Sequence, residues 1–107
     1  MVTAMKMNID TAAGLMGQLG NPTRLRIVRE LVRAGQTGMP VGEIQRRLSV
    51  PHSTLSHHIR LLCSVGLVRQ VRESTVLRCS VAYDKIEGIV RFLTEECCVY
   101  EKSRTIG

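Results

Sequence analysis

The chain has 107 residues and a formal net charge of +6 at neutral pH. That length suits one small domain, and no stretch stays apolar for long enough to span a bilayer. The 44% hydrophobic share can supply a core, but so small a domain is marginal by itself, so a buried dimer interface would help it.

The opening residues, Met-Val-Thr-Ala-Met-Lys-Met-Asn, lack the apolar run and cleavage site of a signal peptide. A cytoplasmic protein is therefore expected, with its four cysteines reduced and serving as ligands, sensors or core residues rather than disulfides. Ile9 to Leu19 reads as a weak first helix, with Ile9, Ala12, Ala13, Met16 and Leu19 in one apolar stripe. Gly14 and Gly17 weaken it, so it needs a packing partner. Gly20-Asn21-Pro22 signals a second start: Asn21 can cap, and Pro22 suits the first helical position. This helix is predicted to run to about Ala34, with Leu25, Ile27, Val28, Leu31 and Val32 inward, and to end at Gly35.

Gly35 to Pro40 reads as a loop. Val41 to Leu48 is predicted as a short third helix, with Val41, Ile44 and Leu48 inward and Arg46-Arg47 outward. A turn at Ser49-Val50-Pro51 leads into a fourth helix. There Leu55, Ile59 and Leu62 recur at i, i+4 and i+7, so one side faces a core. The other side carries His52, Ser53, Thr54, Ser56, His57 and Arg60, with no carboxylate among them. Hydroxyls, imidazoles and a guanidinium can hydrogen-bond base edges and phosphates without repelling a polyanion. Two helices joined by a short turn, the second polar on its outer face, form a helix-turn-helix pattern over residues 41–65.

Gly66 stops the fourth helix. Leu67 to Glu73 reads as a strand with Leu67, Val68 and Val71 inward and Arg69, Gln70 and Arg72 outward. Thr75 to Val81 reads as a second, with Leu77, Cys79 and Val81 on one face and Val76, Arg78 and Ser80 on the other. Glu73-Ser74 is the expected hairpin turn. Such a hairpin over 67–82 is a wing, and Arg69, Arg72 and Arg78 would reach a backbone or minor groove beside the reading helix. Tyr83-Asp84 opens the last helix, with Asp84 as its expected cap and Ile86, Ile89, Val90 and Leu93 in an apolar stripe. Cys97 continues the stripe, and Cys98 lies about 100° round the helix. Residues 99–107 read as a flexible tail, and residues 1–107 as a single domain.

Positive charge concentrates on the middle of the chain. Ten arginines stand against three glutamates between Asn21 and Ala82, whereas four basic residues face five acidic ones from Tyr83 onwards. That favours a polyanionic partner, the alternative being an ordinary Arg-rich surface.

The order helix, helix, helix-turn-helix, hairpin, helix over residues 9–98 resembles the ArsR/SmtB family of winged-helix repressors. Asn21-Pro22-Thr23-Arg24-Leu25-Arg26-Ile27 looks like that family's second-helix opening. Ser53-Thr54-Leu55-Ser56-His57-His58-Ile59 looks like its recognition helix, and Gly66-Leu67-Val68 like its entry to the wing. The fold implied is mainly α with a β-hairpin wing (α+β), a winged helix-turn-helix of order α-α-α-α-β-β-α. The resemblance also implies a homodimer built through the first and last helices (9–20 and 84–98), a palindromic operator in double-stranded DNA, and release when a metal or metalloid binds.

Two of the family's ligand sites are missing here. The third helix has no cysteine pair, and the last helix has no histidine for a zinc site. Cys97-Cys98 remains, similar to arsenic-responsive members with a vicinal pair ending the last helix, but without the third cysteine some of them add. Thiolates suit thiophilic ions. Trivalent arsenic makes three bonds, so two thiols complete a mono-substituted arsenical such as methylarsenite. Arsenite would need hydroxide, Cys63, Cys79 or a partner-chain thiol as well. DNA binding itself should need no cofactor. The competing reading of Cys97-Cys98 is a pair of small hydrophobes ending a dimer helix. Cys63 and Cys79 read as core residues, and His58 as a structural hydrogen bonder. Other functions compatible with the chain are a repressor that senses thiol oxidation, persulfides or another thiophilic metal, and a winged helix used for protein interaction. Nothing brings a nucleophile, a base and an oxyanion donor together, so no enzyme is expected.

Overall fold

The computed structural model describes residues 7–101. In chain order it runs α1 (Ile9–Leu19), α2 (Pro22–Ala34), β1 (Met39–Pro40), α3 (Val41–Leu48), α4 (His52–Ser64), β2 (Val68–Glu73), β3 (Val76–Val81) and α5 (Tyr83–Thr94). The five helices and the wing stand as expected, with one addition. Inside the stretch expected to be a loop, Met39 and Pro40 pair antiparallel with Cys79 and Arg78, giving a three-stranded sheet of order β1-β3-β2. A two-residue strand has no periodicity to read, and Pro40 suits only an edge, because it has no N–H to give a further neighbour.

Local chemistry sets the helix starts. Asn8 Oδ1 accepts from the Thr11 amide, and Asn21 Oδ1 accepts from the amides of Thr23 and Arg24, with Pro22 at the first position of α2. Asp84 does not cap α5: Ala82 holds the cap position without a side-chain bond, and Asp84 lies in the first turn. There its carboxylate favours the positive end of the helix dipole.

The core joins Leu15 of α1, Ile27, Val28 and Leu31 of α2, Ile44 and Leu48 of α3, and Leu55, Ile59 and Leu62 of α4. Leu67, Val68, Cys79, Val81 and Ile89 close it from the sheet and α5. The inward face of α4 is the one its spacing predicted. On α2, Ile27, Val28 and Leu31 are inward as expected, and on α1 so are Ala12, Met16 and Leu19, but the edges of both stripes differ. Leu15 and Ala12 are buried on α1, whereas Ile9 and Ala13 point out; Leu25 and Val32 of α2 are also exposed. A stripe wide enough for two partners does not say which edge the protomer's own core takes.

The wing's register also differs from its reading. Val68 pairs with Val81, Gln70 with Cys79 and Arg72 with Leu77, so Gln70 and Arg72 share the face of the inward residues of β3. Val71 pairs with Arg78 on the opposite face and is exposed. Strict two-residue alternation counted from buried Val68 would have placed them so. Glu73 pairs with Val76, which makes Ser74-Thr75 the turn, one residue later than expected. Ser74 takes the left-handed backbone (φ 62°) that this turn needs.

Gly38 sits where this fold strongly favours glycine. Its φ is +73°, and a Cβ there would overlap the Cys79 carbonyl, so any side chain at this point strains the pairing of β1 with β3.

Candidate nucleic-acid interface

α4 presents the surface picked out from its sequence. Burying Leu55, Ile59 and Leu62 turns His52, Ser53, Thr54, His57 and Arg60 to solvent, with Ser56 half-buried beside them. α4 packs against α2 and β2, and a short turn joins it to α3. Ser49 adopts a left-handed conformation (φ 56°) at the end of α3, and Gln45 Nε2 donates to the Val50 carbonyl, fixing the turn. Pro51 occupies the cap position of α4 with no side-chain hydrogen bond to the first turn. The first amides of α4 therefore keep their capacity for an anionic oxygen, at the positive end of the dipole. Ser56 Oγ lies 3.5 Å from His52 Nε2, one turn along the same face.

The arginines divide into engaged and free. Arg46 and Arg47 of α3 both bond Glu43, and Arg47 also lies 3.6 Å from Glu30 of α2, which bonds Arg33 as well. This pair of guanidiniums holds the Glu43 carboxyl below its ordinary range. On the wing, Arg78 is half-buried: its Nε donates to Glu73 at 3.1 Å and its Nη1 to the Thr37 carbonyl at 3.4 Å. It ties the hairpin to the α2–β1 loop. Arg69 lies 3.6 Å from Asp84, joining the root of the wing to α5. Arg60 and Arg72 are exposed and make no ion pair among the described residues. Of the three wing arginines picked from sequence, Arg72 is thus the one left unengaged, and it sits on the face opposite Arg69 and Arg78.

Arg24 escaped the sequence reading. From the first turn of α2 its Nε donates to the Gln18 carbonyl of α1 at 2.7 Å, and its Nη1 lies 3.1 Å from His58 Nδ1 on α4. A guanidinium only donates, so His58 Nδ1 accepts and the ring is neutral, with its proton on Nε2. Burial, the Arg24 charge and neighbouring His57 all push the His58 pKa down. The expected structural role of His58 has a partner here, which no local pattern could have named.

The cysteines separate into two kinds. Cys79 is buried and its thiol is pushed up to about 11, by burial first, with a weak opposing bond from Gln70. Cys63 is half-buried and also raised by burial. Both are core residues. Cys97 and Cys98 are exposed, and they do not continue the last helix: α5 ends at Thr94, the chain turns, and Cys98 takes φ 64°. The turn brings the two Sγ atoms to 2.9 Å, beside a shallow depression lined by Phe92, Leu93, Glu95 and Glu96. The Cys98 thiol is raised, by its contact with Cys97 and then by Glu101. No third His, Cys, Asp or Glu joins them in a ligand cluster among the described residues, so Cys63 and Cys79 do not complete a site within the chain. Residues 102–107 of the expected tail lie outside the described residues.

Fold and exposed face together define the class, a winged helix-turn-helix protein. A family model described as a helix-turn-helix domain matches residues 19–71. An uncharacterized HTH-type transcriptional regulator of Methanocaldococcus jannaschii is 31% identical over 86 residues, spanning 80% of this chain and 94% of that protein. The transcriptional repressor PagR of Bacillus anthracis is 30% identical over 89 residues, spanning 81% and 85%. The crystal structure of an ArsR family transcriptional regulator superposes with a TM-score of 0.75 at 24% identity, covering 94% of this chain and all of that one. The chain belongs to the helix-turn-helix transcriptional regulators, and it carries the winged fold of their ArsR type.

Proposed function

We propose that this protein is a homodimeric, cytoplasmic repressor that leaves its DNA operator when a trivalent arsenical, methylarsenite in preference to arsenite, bridges Cys97 and Cys98. The observation that carries the ligand is the pair of exposed thiols held 2.9 Å apart outside any helix. Their donor count supports the organic form: the two S–H groups replace two hydroxyls on arsenic, two waters leave, and the carbon keeps the third bond. Phe92 and Leu93, beside Cys97, offer that carbon an apolar flank. The raised Cys98 thiol favours a ligand that displaces protons over a resting thiolate nucleophile.

Repression is carried over from the relative named a repressor, and DNA binding from the reading face of α4. Outward apolar residues support the dimer: Ile9 on α1, with Val90 and Leu93 on α5, are each more than half exposed in one protomer. α5 is the connecting element. Its end leads to the thiols, its outer face to the second protomer, and its start to the wing through Asp84 and Arg69. The arsenical dissociates DNA only if it binds the non-reading dimer more tightly, so DNA must weaken its binding in return.

The test begins with a duplex that the protein itself selects from a random pool, followed by fluorescence anisotropy against methylarsenite, arsenite, antimonite, zinc and peroxide. Methylarsenite should release the protein at the lowest concentration. Cys97→Ser and Cys98→Ser should keep DNA binding and lose release. Equal potency of arsenite would overturn the preference for the organic form, and release from both serine variants would overturn the site. The same 2.9 Å contact also favours a second reading, in which peroxide takes one hydrogen from each thiol, leaving a disulfide and two waters. Release by peroxide without any response to arsenicals would select it.

A further inference from the structure

Arg24, on α2, also meets α1 and α4. Its backbone is fixed by the Asn21 cap at the start of α2. Its Nε satisfies the Gln18 carbonyl, one of the last carbonyls of α1 and so without a partner inside that helix. Its Nη1 is satisfied by His58 Nδ1 in the middle of α4. α1 carries the outward apolar residue Ile9 and α4 carries the reading face. His58 also directly follows His57, which lies on that face with its ring 5.6 Å away.

We propose that Arg24 and His58 form a positioning clamp that sets the reading helix against α1, and that protonating His58 opens it. The proposal rests on α4 being the DNA-reading element, though not on any inducer. A protonated imidazole offers N–H at both nitrogens, so Nδ1 has no lone pair for Arg24, and two cations then face each other at 3.1 Å. The charged groups acting on His58 are Arg24 from α2 and His57 from its own helix; α1 adds only a main-chain carbonyl, to the same guanidinium. Neither α3 nor β2 contributes a charge that acts on it. All of these influences lower the pKa of the folded ring, so the clamp is closed at neutral pH and opens as pH falls below the ordinary histidine range.

The experiment compares His58→Asn, His58→Leu and Arg24→Gln with wild type on the duplex the wild type selects, between pH 5 and 8. Asparagine places an amide oxygen near the position of Nδ1 and does not titrate; leucine fills space without an acceptor. At pH 7.5 the asparagine variant should bind like wild type, while leucine and Arg24→Gln bind about tenfold more weakly, as loss of one charge-assisted hydrogen bond implies. On acidification, wild type should lose affinity relative to His58→Asn, and the two should converge again at neutral pH. Circular dichroism and unfolding of each variant separate lost positioning from lost folding. If the wild type selects no duplex, the reading of α4 fails. If it does, a constant wild-type-to-asparagine ratio across the pH range overturns the proposal, as does a folded leucine variant with wild-type affinity.

Discussion

Leu93 offers a direct measure of the second protomer. Its side chain is 63% exposed on the outer face of α5, where nothing among the described residues buries it. Fully burying a leucine contributes about 1.5–3 kcal/mol, so about 1–2 kcal/mol remains to be gained at this position when a partner covers it. A two-fold interface uses the residue twice. Leu93→Ala should therefore weaken the dimer by about 2–4 kcal/mol, or roughly 30- to 900-fold in its dissociation constant. The fold of the protomer should hardly change, since the lost atoms touch little within it and alanine favours helix. Sedimentation velocity over a concentration series measures the constant. Val71→Ala is the control: that residue is 56% exposed, but on the wing, and its removal should leave association unchanged. An equal response to both variants, or none to Leu93→Ala, would refute the assignment of the interface to α5.

Arg60 and Arg78 should separate in DNA binding. Arg60→Ala is expected to weaken binding and reduce the dependence of log affinity on log salt by about one unit, while Arg78→Ala leaves the slope nearly unchanged and lowers stability, because its guanidinium is already held by Glu73 and Thr37. Anisotropy at several salt concentrations distinguishes them. Gly38→Ala should cost on the order of 2–3 kcal/mol in urea unfolding, since both its φ of +73° and the Cys79 carbonyl oppose a Cβ. Cys79 should shape the alkaline limit of stability. Folding raises its thiol from an ordinary 9.0 to about 11, so the unfolded chain loses that proton first. Stability relative to a Cys79→Ala variant is thus full below pH 9 and declines as pH rises towards 11, a difference readable from paired denaturant titrations.

Local chemistry in the sequence determined most of the frame. Asn21-Pro22 and Gly35 bounded α2, the Leu55–Ile59–Leu62 spacing oriented α4, and that spacing left the carboxylate-free side of α4 facing solvent. These features depend on neighbours a few residues away, which is the range over which helical and strand periodicity act. What the sequence left open was settled by contacts between distant segments. Met39 and Pro40 are a strand only because Cys79 and Arg78 lie beside them. Which edge of the α1 stripe is buried depends on where α2 lies, and Leu15 rather than Ile9 meets the core. Arg78 and Arg72 look alike in sequence, yet one is bound to the loop and the other is free, because strand register puts them on opposite faces. The thiols meet outside the helix they were expected to extend, since α5 stops at Thr94, the chain passes into turns, and Cys98 takes a left-handed backbone. Arg24 and His58 stand 34 positions apart, and only the packing of α2 on α4 makes them partners.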